Sequence, residues 1–75
     1  MNFDAIERLE AWRNGDKSRC VEISIDDGYG GTCWVVSLGG TGGQLRMTEA
    51  EVGDDWPGLA ATIHAAIDKA EELGL

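Results

Sequence analysis

Apolar residues first recur at helical spacing, with Ala5, Ile6, Leu9 and Trp12 on one side of a helix advancing about 100° per residue. Phe3 falls outside that stripe. Asn2 is placed to cap the first-turn amides with Met1 and Ile6 as a hydrophobic staple, and Asp4 with Glu7 offers a rival capping box. Asn14-Gly15 supplies a left-handed stop. The pattern therefore predicts a first helix over about residues 3–13, short enough to depend on tertiary packing.

From Arg19 the period changes to two. Val21, Ile23 and Ile25 share one face of a strand over 19–25, and Cys20, Glu22 and Ser24 share the other. Asp26 to Gly31 reads as a turn, because its acids disfavour strands and its glycines accept positive φ. A second strand over 32–38 points Trp34, Val36 and Leu38 one way and Cys33, Val35 and Ser37 the other. Gly39 to Gly43 makes the next turn, and a short strand over 44–48 adds Leu45 and Met47 to the apolar face.

Between Thr48 and Pro57 the chain is acidic, and Thr48 with Glu51 has the spacing of a capping box, consistent with a single helical turn before Gly53. Pro57 then opens a last helix running to about Leu73, with Gly74 as its C′ residue. Leu59, Ile63, Ala66, Ile67, Ala70 and Leu73 form its apolar stripe. The order α-β-β-β-α predicts a single α+β domain over residues 1–75. Its two layers are a three-stranded antiparallel meander and both helices, packed on one face. Val21, Ile23, Ile25, Trp34, Val36, Leu38, Leu45 and Met47 would form the covered side of the sheet, since leaving them open forfeits about 25 cal/mol per Å² of apolar surface.

The chain's 75 residues suit one small domain. No apolar run approaches a membrane span, and the acidic start Met1–Glu10 is unlike a signal peptide. Cys20 and Cys33 match neither a disulfide framework nor a zinc spacing. A reduced, cytoplasmic setting is the expectation.

The order α-β-β-β-α resembles the double-stranded RNA-binding domain in topology alone. That fold meets phosphates with cations at the start of its last helix, where this chain reads Asp54, Asp55, Trp56 and Pro57. Direct nucleic-acid binding is therefore not expected. Gly39–Gln44 looks like a dinucleotide-binding glycine run, but a strand is predicted on both sides, whereas the fingerprint needs a helix after it. His64 has no Ser or Cys beside it in sequence, Cys33 has no nearby cation, and Asp26 with Asp27 lacks calcium-loop spacing. No catalytic, cofactor-binding or metal-ligating residue is assigned, and an enzyme is not expected.

Charge changes the picture most. The chain carries 14 acids and 6 bases for a net charge of −8, and from Met47 onward its acids face one cation, Lys69. Glu49, Glu51, Asp54, Asp55, Asp68, Glu71 and Glu72 are the candidate partner-binding residues, forming an acidic surface for a basic protein partner. The sharpest form of that expectation is a phage or prophage accessory protein that inhibits a nucleic-acid-binding partner by occupying its basic surface. One alternative is a homodimer or assembly factor using the open sheet face at Cys33 and Val35, or a small-residue ridge at Ala61 and Ala65. A further one, a small enzyme or metal binder, would need His64 or Cys33 in a site that the sequence does not assemble.

Overall fold

The computed structural model describes residues 4–28, 31–52 and 58–75. Its elements run α1 (Asp4–Asn14), β1 (Cys20–Gly28), β2 (Gly31–Gly40), β3 (Gly43–Thr48), α2 (Glu49–Val52) and α3 (Gly58–Leu73). The strands form one antiparallel sheet in the order β1-β2-β3, and the helices pack against it in an α+β fold. The cap, staple and first-helical-position roles expected of Asn2, Met1 and Pro57 fall outside the described residues.

Both hairpins are longer than their glycines suggested. Asp26 and Asp27, expected in a turn, pair with Cys33 and Thr32 in a ladder that continues to Gly28 opposite Gly31. Their carboxylates are satisfied where they stand, because the Thr32 hydroxyl donates to Asp27 (2.7 Å) and Arg46 donates to Asp26 (3.1 Å). Of the second glycine run, Thr41 and Gly42 alone lie outside the strands. A Cβ at Gly42 would lie 2.7 Å from the Gly74 carbonyl oxygen, so this run permits the hairpin end to lie against the chain after α3.

The core joins Val36 and Leu38 to Ile63, Ala66, Ile67 and Ala70 of α3, to Ala5, Leu9 and Trp12 of α1, and to Leu75. Val21, Leu45, Met47 and Leu59 pack at its margin, so the face parity of all three strands is as expected. Coverage is not. Ile23 and Ile25 are 37% and 56% exposed, Ile6 and Leu73 are also exposed, and Trp34 is half-buried. The reason is lateral placement: α3 lies over β2 and β3, and α1 docks chiefly on α3, while β1 packs substantially against β2 alone.

Val35 faces away from the helices and is nevertheless buried. The register shows how. Arg46 on β3 and Asp26 on β1 lie in rows on either side of Val35, so their ion pair passes diagonally across it. Thr62, which apolar patterning overlooked, is buried in α3 with its hydroxyl donating to the Gly58 carbonyl (2.9 Å).

Helix ends differ in mechanism. After α3, Gly74 takes φ +76°, its N–H reaches Glu71 O, and Leu75 N–H reaches Ala70 O, the paired bonds of a Schellman motif. Gly15 does not take the left-handed conformation expected of it. Its lack of a side chain makes room for Arg19, which donates to the Trp12 carbonyl (2.7 Å), stacks on the Trp12 ring and donates to Leu75 O.

Candidate interaction surface

The expected acidic surface is redistributed by folding. Glu49 is a correction: it is buried, with Oε2 accepting from Trp34 N–H (3.0 Å) and Oε1 from Gly58 N–H (2.8 Å). β3 ends at Thr48, so β2 loses its neighbour just where the Trp34 amide needs an acceptor. The next residue in the chain provides one. The same carboxylate meets the first amide of α3, where the helix dipole favours negative charge and the first turn has no acid of its own. Glu49 is therefore a structural bridge.

Glu51 closes the capping box, accepting from both the backbone N–H and the hydroxyl of Thr48. Those bonds, the backbone one first, hold its carboxyl below the ordinary range. Asp68 is ion-paired with Arg8, which also donates to His64 Nδ1 (3.0 Å), tying α1 to α3. Because a guanidinium only donates, Nδ1 is the acceptor, and His64 is an interhelical contact. Glu72 is 3.8 Å from Lys69, and Glu71 is exposed. Asp54 and Asp55 lie outside the described residues. Of the five described candidate acids, Glu51, Asp68, Glu71 and Glu72 are exposed and Glu49 is withdrawn from the surface.

Ala61 and Ala65 are half-buried, so the small-residue ridge is not bare. Cys33 stands opposite Asp26, and Cys20 opposite Gly39, at opposite ends of the face turned away from the helices; both thiols are free. That face holds a shallow depression of about 620 Å³ bordered by Cys20, Glu22, Ser37, Gly39, Gln44 and Arg46.

The residues that patterning missed lie on β1. From Glu22 to Asp27 every side chain is exposed, bringing Ile23 and Ile25 together with Glu22, Asp26 and Asp27 on an edge strand. The signal was present in Asp27 and Thr32, which share the helix-side face with Ile25 and Trp34 and so mark where the core stops.

No known protein family, curated protein or solved structure matches the chain. The reading of this surface rests on its own geometry. No described helix is long and apolar enough to cross a membrane, and the described residues contain no cluster of three or more potential metal ligands.

Proposed function

We propose that this protein is a non-enzymatic, acidic protein-binding module whose partner presents a basic surface. One observation carries the reading: folding makes the outer charge more one-sided than the sequence. Eleven of the twelve described side-chain carboxylates are exposed, whereas the exposed cations are Arg13, Lys17, Arg46 and Lys69. Arg8 and Arg19 turn partly inward, toward α3 and toward Trp12 with Leu75. A field of this sign repels phosphates and steers a cationic protein into encounter. In its sharpest form the module is an inhibitor that competes with nucleic acid for its partner's basic site, the role of a phage or prophage accessory protein.

Association kinetics test this. Proteins retained on the immobilised module should be basic. Their association rates should drop by at least about tenfold between low salt and about 0.5 M salt, where the Debye length falls to a few ångströms. Replacing exposed Glu22, Asp27, Glu71 and Glu72 by their amides should slow association while preserving the melting curve. Salt-independent association, or retention of acidic proteins, overturns the reading.

A further inference from the structure

We infer that the free edge of β1 is the docking site, and that it accepts an extended partner segment alternating apolar and basic residues, which joins the sheet as a fourth strand. This deepens the basic-partner reading and rests on it.

The backbone direction follows from one bond. Trp34 donates its N–H to Glu49, which continues from β3, so the Trp34 amide points away from β1. Trp34 is paired with Ile25. In an antiparallel ladder this makes them a non-hydrogen-bonded pair, and the N–H and C=O of Ile25 point out from the sheet. Alternation extends the same orientation to Val21, Ile23 and Asp27. The residues offering outward backbone groups therefore include the two exposed isoleucines, Ile23 and Ile25.

Natural edges of this kind are usually blunted by charged side chains, a proline, a bulge or a covering helix. β1 contains no proline, its register runs unbroken from Cys20 to Gly28, and among the described residues it packs substantially against β2 alone. Its charges are the acids Glu22, Asp26 and Asp27. Such an edge is suited to strand addition, in which main-chain bonds provide attachment and alternate side chains provide choice.

The two faces of β1 specify the added strand. On the helix side, Ile23 and Ile25 call for apolar neighbours. On the other side, Glu22 calls for a cation, Asp26 being already held by Arg46, and the depression beside Glu22 leaves room for a long basic side chain. A second copy pairing through its own β1 fits poorly. The corresponding face of its β1 offers Cys20, Glu22, Ser24 and Asp26 and no cation in any register, and each copy carries a charge of −8.

The test titrates the isotope-labelled full chain with end-blocked nine-residue peptides and follows backbone amides by NMR. One peptide alternates valine and lysine, a second has the same composition with all lysines in one block, and a third alternates valine and glutamate. The alternating lysine peptide should bind at least about tenfold more tightly than the other two, a margin of about 1.4 kcal/mol. It should slow hydrogen exchange selectively at Val21, Ile23, Ile25 and Asp27. Methylating its alternate backbone nitrogens, with side chains unchanged, should abolish that protection. Ile23→Pro, which removes an outward N–H and leaves the β1–β2 bonds in place, should weaken binding by a similar factor.

Equal binding of both lysine peptides, with perturbations away from β1, overturns the strand site and leaves the basic-partner reading standing. If neither lysine peptide binds better than the glutamate peptide, both readings are overturned. Concentration-dependent protection of the same four amides in the protein alone makes the occupant a second copy and overturns the assignment.

Discussion

Replacing Glu49 by alanine should be among the most damaging changes available at a charged residue of this protein. The substitution removes the acceptors of two backbone amides, Trp34 N–H at 3.0 Å and Gly58 N–H at 2.8 Å, from a side chain that is 6% exposed. Hydrogen bonds to a charged group contribute about 1.5–3 kcal/mol each. Both bonds are only partly buried, so water offsets part of the loss and the combined cost should be about 3–4 kcal/mol. A chain of this length holds roughly 4–11 kcal/mol in total, so the variant stands near the edge of folding. Glu49→Gln keeps one acceptor and turns an amide donor toward a backbone N–H, for an expected loss of about 2 kcal/mol. Urea unfolding followed by tryptophan fluorescence measures both, with exposed Glu71→Ala as the reference. At about 4–8 °C per kcal/mol, Glu49→Ala should also lower Tm by at least about 12 °C. If Glu49→Ala and Glu71→Ala have midpoints within about 0.5 kcal/mol of each other, the carboxylate does not bridge β2 and α3. Glu49 then returns to the acidic surface.

Ile63→Ala, at a fully buried position, should cost about 2–5 kcal/mol, whereas Ile25→Ser on the uncovered part of β1 should stay within about 0.5 kcal/mol; similar urea midpoints would refute the lateral placement of α3. Gly42→Ala should lower stability by about 1–3 kcal/mol because its Cβ meets the Gly74 carbonyl, while a parent-like melt would show that the two segments separate freely. The Asp16 carboxyl is held below its ordinary range chiefly by the Ser18 backbone N–H, as Glu51 is by that of Thr48. Both depressed values make their stabilisation complete above the ordinary carboxylate range of about 4 and progressively lost as pH falls through the lower folded-state values. Asp16→Asn combined with Glu51→Gln should therefore flatten the acid side of a urea midpoint against pH curve; an unchanged slope below pH ~4 would refute that role.

Element order, strand parity and the apolar stripe of α3 are local properties, and they were legible in the residues. Period two in β1 and β2, the 3–4 spacing from Leu59 to Ala70, the Thr48–Glu51 box and Gly74 each act through neighbours in the chain. What the tertiary structure decided was coverage. Periodicity shows that Ile23, Ile25 and Val36 share a face, but not that a helix of 16 residues lies over β2 and β3 and leaves the edge strand open. Composition likewise counts Glu49 among the acids, while its burial depends on where β3 ends relative to Trp34, a distance of 15 residues along the chain. Lateral packing and the demand of every buried amide for a partner are properties of the assembled sheet. They turned an expected acidic docking residue into a bridge and revealed an uncovered edge on β1 that patterning had placed in the core.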